Sequence, residues 1–201
     1  MSKSRKETES ILYYDTNAQE YSNKSLHIEV GDLYYRFLRY LPQGKYLLDA
    51  GCGCGRDTKY FLSLGYQVTA IDASQAMVEI SSELTGQKTL HLDFRDLSFK
   101  DTFDGIWSFA SLLHISKSKI DEVVYRFAQA LKNDGTWYMS FKEGEGEQFH
   151  NGRLFNNYTK SSLKELLMRN NMLEIIDIWC SSDCVGRDQK WVNALVRKQA
   201  L

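Results

Sequence analysis

The residues best suited to chemistry stand between positions 47 and 74. Leu47-Leu-Asp-Ala-Gly-Cys-Gly-Cys-Gly-Arg56 puts an acid, Asp49, at the end of an apolar run and follows it with glycines at 51, 53 and 55. Such glycines let the main chain turn tightly and approach a ligand closely, and a helix opening directly after them offers unpaired N–H groups. Further on, Asp72 ends the next apolar run in Ala70-Ile-Asp-Ala-Ser74. A carboxylate there can accept hydrogen bonds from both hydroxyls of a ribose, so the two features together point to a nucleoside ligand. A dinucleotide fingerprint spaces its glycines Gly-x-Gly-x-x-Gly and presents a helix N-terminus to a pyrophosphate. Here the spacing is 51, 53, 55 with an acid ahead of it, which repels pyrophosphate and favours a sulfonium or ammonium centre.

These residues need strands to carry them. Apolar runs predict strands over 46–50, 67–71, 89–92, 105–109 and 136–141, with helices over 56–64 and 74–84 between them. The clearest helical stripe is Ile120, Val123, Val124, Phe127, Ala128 and Leu131, preceded by a capping-box-like Ser118-x-x-Asp121. Repeated βα units imply a parallel sheet covered by helices on both faces. The last quarter breaks the rhythm. A helix over 159–169 leads to a strand over 173–179, and another strand follows over 191–197 with only polar, loop-like residues between them. Parallel neighbours need a long crossover, so this pair reads as an antiparallel hairpin closing the sheet. Ahead of the first strand, 9–18 reads as helical, and Val30, Leu33, Tyr34, Phe37, Leu38 and Leu41 form a stripe ending before Pro42. The acidic glycine run Glu143-Gly-Glu-Gly-Glu147 reads as a loop.

Composition narrows the classes. The 201 residues are 43% hydrophobic and 25% charged with a single proline, the balance of one globular domain. No apolar stretch approaches the roughly 18 residues that span a bilayer, and the first residues are polar, so a cytoplasmic location is expected without a membrane partner. Twenty-five basic against 26 acidic side chains give a net charge of −1, so a nucleic-acid partner would need a local basic patch. Cys52, Cys54, Cys180 and Cys184 fit neither a common zinc spacing nor a secreted disulfide framework, and His27, His91 and His150 have no metal-ligand spacing. No metal is expected.

The chain resembles the class I S-adenosylmethionine-dependent methyltransferases over nearly its whole length. The resemblance rests on the 47–56 segment, Ile71-Asp-Ala-Ser, His91-Leu-Asp-Phe, Phe103-Asp-Gly-Ile-Trp-Ser and Ala130-Leu-Lys-Asn-Asp-Gly. It implies a doubly wound, Rossmann-like α/β fold with a seven-stranded, mostly parallel sheet and a C-terminal antiparallel hairpin. It also implies one domain, with 1–42 as a helical lid and 43–201 as the core. By similarity, Asp49, Gly51 and Gly53 cradle the methionine part of S-adenosylmethionine and Asp72 holds the ribose. Asp93 meets the adenine amino group, with Phe94 and Met77 near the ring, and Arg56, Ala73 and Ser108 complete the cofactor set. The segment Tyr13-Tyr-Asp-Thr-Asn-Ala-Gln-Glu-Tyr21 resembles the helix that many members fold over the cofactor, with Tyr13 and Tyr21 facing it.

Methyl transfer is an in-line displacement that needs alignment, exclusion of water and, for a protonated nucleophile, a base. The segment Ser108-Phe-Ala-Ser-Leu-Leu-His114 lacks both the Asn/Asp-Pro-Pro-aromatic signature of base amino-group methylation and the Pro-Cys of enzymes attacking cytosine carbon 6. His114 is the candidate base, because histidine accepts protons near neutral pH. Lys142 and Tyr158 join it as catalytic candidates, and Arg153, Arg187 and Lys190 as binders of an anionic substrate group at the strand ends. The expected reaction is methyl transfer to a small anionic metabolite. Two alternatives stay open. Arg153-x-Phe-x-x-Tyr158 with Trp191-Val-Asn loosely resembles enzymes that esterify a carboxymethyl group on a tRNA wobble uridine, and a non-catalytic S-adenosylmethionine-binding protein shares the same pocket.

Overall fold

The computed structural model describes residues 5–200; positions 1–4 and 201, which belong to the ranges 1–42 and 43–201 given above, lie outside the described residues. Seven strands form one sheet: β1 (Tyr46–Ala50), β2 (Gln67–Asp72), β3 (Leu90–His91), β4 (Phe103–Ser108), β5 (Leu131–Lys142), β8 (Leu173–Ser182) and β9 (Lys190–Lys198). Their order is β3-β2-β1-β4-β5-β9-β8. The pairs β1–β2, β1–β4, β2–β3 and β4–β5 are parallel, whereas β9 runs antiparallel to both β5 and β8. β1 and β4 sit at the centre, where parallel strands are covered on both faces and read as continuous apolar runs. Leu47, Leu48 and Ala50 on β1 and Ile106 and Trp107 on β4 are fully buried.

Two apolar layers sandwich the sheet. On one face, α5 (Ile120–Ala130) and α6 (Lys160–Met168) bury Val123, Val124, Phe127, Leu163, Leu166 and Leu167 with Leu48 and Ile106. On the other, α2 (Gly31–Leu38) and α3 (Arg56–Ser63) bury Leu33, Tyr34, Phe37 and Phe61 against Leu47, Trp107 and Tyr138. The helix α4 (Gln75–Thr85) starts directly after β2, capped by Ser74, whose hydroxyl accepts from the Met77 N–H. No helix among the described residues is long and apolar enough to cross a membrane.

The structure departs from the expectations in three places. At the start of α5 the N-cap position is Lys119 with no side-chain cap hydrogen bond, so Ser118 and Asp121 form no capping box. The stretch read as a loop at 143–147 instead enters a second, two-stranded sheet, in which β6 (Gly146–His150) pairs antiparallel with β7 (Arg153–Asn157). β6 shows no apolar alternation because most of its side chains face solvent. The turn is made by Asn151 and Gly152 with φ of 50° and 73°, the left-handed pair that joins two-residue hairpins. The helix expected over 9–18 is longer: α1 covers Arg5–Ser25, with a kink at Asn17. Its buried face is polar, carrying Glu7, Ser10 and Ser22 beside Ala18, and so gives little hydrophobic periodicity.

Candidate active site

A cavity opens at the carboxyl edge of the sheet, between the tips of β1, β2 and β4 and the underside of α1. Its floor is the glycine turn after β1. The N–H groups of Gly51 and Cys52 donate to the Ile71 carbonyl at 2.9 and 3.0 Å and pin the turn to β2. Gly51 has φ of 74°, and a Cβ there would lie 2.4 Å from Ser111 Cβ, so packing beneath the turn excludes any side chain. At Gly55 (φ 85°) a Cβ would stand 2.6 Å from Ser81 Oγ, where α3 and α4 approach closely. Gly53 (φ 53°) differs: nothing lies within 4 Å of its missing Cβ, which leaves bare main chain facing the cavity.

At the tip of β2, Asp72 accepts hydrogen bonds from the N–H groups of Gly53 and Ser74, each at 2.9 Å. Burial raises its pKa, and these N–H groups together with that of Ala73 pull it back toward ionisation. Two bonds leave lone pairs free on the carboxylate for further donors. Beyond it, Asp93 is tied to Arg95, whose Nε donates to Oδ1 at 2.6 Å and whose Nη2 donates to Oδ2. Arg95 Nη1 also donates to Glu7 Oε2 of α1 at 2.7 Å. Phe94 and Met77 line the same end. Four carboxylates, Glu7, Asp57, Asp72 and Asp93, line the cavity against two guanidiniums, Arg56 and Arg95. The resulting field suits a cationic nucleoside, so the residues present fit S-adenosylmethionine, with Gly53 at the open floor and Asp72 within reach of a ribose.

The structure brings Tyr21, Gly51, Gly53, Arg56, Asp72, Ala73, Met77, Asp93, Phe94 and His114 to this cavity. It does not bring Asp49. That side chain shares the face of β1 with Leu47, points under α3 and accepts from Thr58 Oγ1 at 2.6 Å. Burial and the neighbouring Asp57 raise its pKa, and Asp57 itself lines the cavity while accepting from Tyr34, Arg56 and Trp107. Ser108 is likewise buried in β4, where its Oγ accepts from Trp137 Nε1 at 3.0 Å. Tyr13 turns away to stack on Arg153, whose guanidinium carbon lies 4.2 Å from the ring centre. Its neighbour Tyr14 lines the cavity beside Tyr21, their ring centres 5.1 Å apart. Residues seven apart share a helix face, so the spacing of Tyr14 and Tyr21 carried this signal.

At the reacting end, His114 sits on a short 3-10 turn (Leu112–His114) after β4. Its Nδ1 is 2.6 Å from the Leu154 carbonyl, and its Nε2 is 2.8 Å from Tyr14 Oη. A carbonyl only accepts, so Nδ1 carries the proton and Nε2 accepts from the tyrosine hydroxyl. Burial pushes the His114 pKa down to about 4, aided by Arg153 and Lys142 and opposed by the Leu154 carbonyl. Lys142 and Arg153 stand beside this end, although neither lines the main cavity, and burial, then Arg153, then Arg187 lower the Lys142 pKa. Lys142 Nζ lies 3.8 Å from the ring centre of Phe155, and the Arg153 guanidinium 5.2 Å from the same ring. Arg153 Nε is buried without a hydrogen-bond partner.

The remaining candidates fall outside this cluster. Arg187 pairs with Asp183 and lines a smaller adjoining cavity with Phe109, Trp191 and Asn193. Asp183 resists burial and stays near a pKa of about 2 through hydrogen bonds from Arg187 and Trp191. Lys190 is exposed at the start of β9 and lines neither cavity. Tyr158 lies in the core against Phe141, and burial pushes its hydroxyl up to about 12. It does not line the main cavity, and its place in the short tRNA-enzyme match is taken up by packing. No sequence pattern marked Glu7, Arg95, Phe109, Ala110 or Ser111, all at the cavity wall. Among the described residues no group of three or more histidine, cysteine or acidic side chains is placed to hold a metal ion.

Comparison with known proteins agrees with this geometry. Residues 47–135 match the family described as a methyltransferase domain. An O-methyltransferase of Penicillium expansum is 37% identical over 82 residues, 36% of this chain and 30% of the relative. A ubiquinone biosynthesis O-methyltransferase of Xanthomonas axonopodis pv. citri is 29% identical over 115 residues, covering 54% of this chain and 47% of the relative. The chain thus spans about a third to a half of the length of these curated relatives. Among solved structures, the 1,6-didemethyltoxoflavin-N1-methyltransferase of Burkholderia thailandensis superposes with a TM-score of 0.80 at 22% identity, covering 100% of this chain and 92% of that one. That structure holds 1,6-didemethyltoxoflavin and S-adenosylhomocysteine. Residues 47–135 thus match a methyltransferase domain, and over the whole chain the doubly wound fold is that of S-adenosylmethionine-dependent methyltransferases.

Proposed function

We propose that this chain transfers the methyl group of S-adenosylmethionine to a small acceptor that carries an anionic group. The carrying observation is Arg153, whose buried Nε has no partner, beside Lys142, which has no ion pair among the described residues. A buried unpaired donor is costly, and the group that satisfies it is an oxyanion on the acceptor. A small acceptor is supported by the relatives named above that act in ubiquinone biosynthesis and on 1,6-didemethyltoxoflavin. When bound, S-adenosylmethionine supplies an electrophilic methyl whose bonding pair leaves with sulfur. The chain's own part is to hold the ribose on Asp72, keep water out beneath α1 and turn the acceptor with Lys142 and Arg153.

The test is calorimetry with S-adenosylhomocysteine, followed by transfer of labelled methyl from S-adenosylmethionine to a low-molecular-weight metabolite pool and, separately, to tRNA. Micromolar-range binding and label in metabolites retained on an anion exchanger are expected, with Arg153→Met raising the acceptor KM about tenfold or more. Label in tRNA, or in unretained metabolites alone, overturns the anionic small-molecule acceptor. Binding with no labelled product in either pool overturns catalysis.

A further inference from the structure

The hydrogen bonds around His114 say more than that a histidine is present. Its Nε2 lone pair is already filled by the Tyr14 hydroxyl, so an acceptor cannot hand its proton to His114 directly. Tyr14 donates its one proton to His114, and of the two lone pairs on Oη one takes the Arg153 guanidinium, which leaves the other for the cavity that Tyr14 lines. Behind His114, the Leu154 carbonyl holds Nδ1–H at 2.6 Å. The Leu154 N–H in turn donates to Ser10 Oγ of α1 at 2.8 Å. Ser10 and Tyr14 stand four apart on one face of α1, so the same helix that supplies the hydroxyl also fixes the strand that orients the imidazole.

Building on the reading above, we propose that Tyr14 and His114 form a two-step proton relay assembled when α1 lies over the cavity, and that the methylated atom of the acceptor is therefore an O–H or N–H group, separate from the anion that anchors it. In this step the acceptor atom attacks the methyl carbon, the acceptor–carbon bond forms, and the sulfur–carbon bond breaks with its pair going to sulfur. The acceptor's proton passes to Tyr14 Oη, and the Tyr14 proton passes to His114 Nε2. His114 becomes an imidazolium with both N–H groups paired, and later releases its proton to solvent. A carboxylate acceptor would carry no proton and leave this relay without a task.

The charges facing the relay are set for such a load. Tyr14 from α1, Arg153 from β7 and Lys142 from the end of β5 surround His114, and the two cations disfavour its protonation. Tyr21, Arg153 and Asp72 are the charged or titratable groups around Tyr14. An acceptor anion between Lys142 and Arg153 cancels the field that opposes the imidazolium, so the relay is strongest when the correct acceptor is present.

Three measurements on the full chain test the relay. First, nitrogen-labelled histidine NMR of the ligand-free protein should show His114 protonated at Nδ1 and neutral until the pH falls toward about 4. Protonation at Nε2 alone would sink the relay. Second, carbon-labelled S-adenosylmethionine and the metabolite pool should yield a methyl ether or an N-methyl product; a methyl ester overturns the inference while leaving the anionic acceptor intact. Third, with the acceptor so found, Tyr14→Phe and His114→Gln should each lower kcat about 100-fold while S-adenosylhomocysteine affinity changes by less than about threefold. The wild-type kcat should be flat between about pH 6 and 8, and the variants should rise roughly tenfold per pH unit as solvent base takes over. A Tyr14→Phe kcat within about threefold of wild type with a flat profile overturns it. Loss of S-adenosylhomocysteine binding by the wild type instead overturns the cofactor reading.

Discussion

The floor of the cavity is held by main-chain geometry, with Gly51, Gly53 and Gly55 in left-handed conformations and the turn bonded to Ile71. Its cover, α1, is held by polar side chains that leave water: Glu7 on Arg95 and Ser116, Ser10 on Leu154, Tyr14 on His114 and Asp15 on Ser74. Main-chain bonds do not depend on pH or on a ligand. Buried ion pairs and side-chain hydrogen bonds do, because each must offset the cost of desolvation with good partners. The contrast assigns the floor to constant binding geometry and the cover to a contact that ligand and protonation adjust.

The comparison breaks most severely at Arg95. It stands buried between Glu7 and Asp93, so Arg95→Ala strands two carboxylates and should cost about 3–5 kcal/mol of stability, read from urea unfolding. A loss below about 1 kcal/mol would show that the cover does not depend on this triad. Acid should act next. His114 has a folded pKa of about 4, below its ordinary value, so the native state excludes a proton that the unfolded chain takes up. Stability should therefore fall as pH drops from about 6.5 toward 4, by up to about 3 kcal/mol, and His114→Gln should flatten this slope in chemical unfolding series. The smallest structural effect is expected on the floor side. Asp72→Ala should weaken S-adenosylhomocysteine binding by about 1–3 kcal/mol in calorimetry, through loss of ribose hydrogen bonds, while unfolding stays within about 1 kcal/mol of wild type. Unchanged affinity would remove Asp72 from the site.

The same contrast explains what could be read from the residues. The strands β1, β2, β4, β5, β8 and β9 and the helices α3 to α6 announce themselves because apolar residues recur with their periods and glycines punctuate them. The fold class and the placement of Gly53 and Asp72 at one edge follow from that. α1 is nearly invisible to the same reasoning because Glu7, Ser10, Tyr14 and Ser22 are the residues it turns inward. β6 hides for the opposite reason, since it turns mostly polar residues outward, although Asn151-Gly152 carried a hairpin signal that its acidic surroundings obscured. Asp49 lies off the cavity wall because strand alternation decides which way an acid at a strand tip points, and here Thr58 and Leu47 share its face. Arg95 could not be found at all, because its partner Glu7 lies 88 positions away in the chain.

One reversal of direction in the sheet has a wider result. Because β9 runs against both its neighbours, β8 ends and β9 begins on the rim where β1, β2 and β4 also end. Asp183 and Arg187 are thereby delivered to that rim by a connection that no strand pairing constrains, beside Trp191 at the start of β9. On the function proposed above, lengthening or exchanging that connection changes which molecules fit beside the methyl donor and leaves the donor's own berth as it was, so selectivity in this architecture can diverge at its tail while its chemistry is inherited from its head.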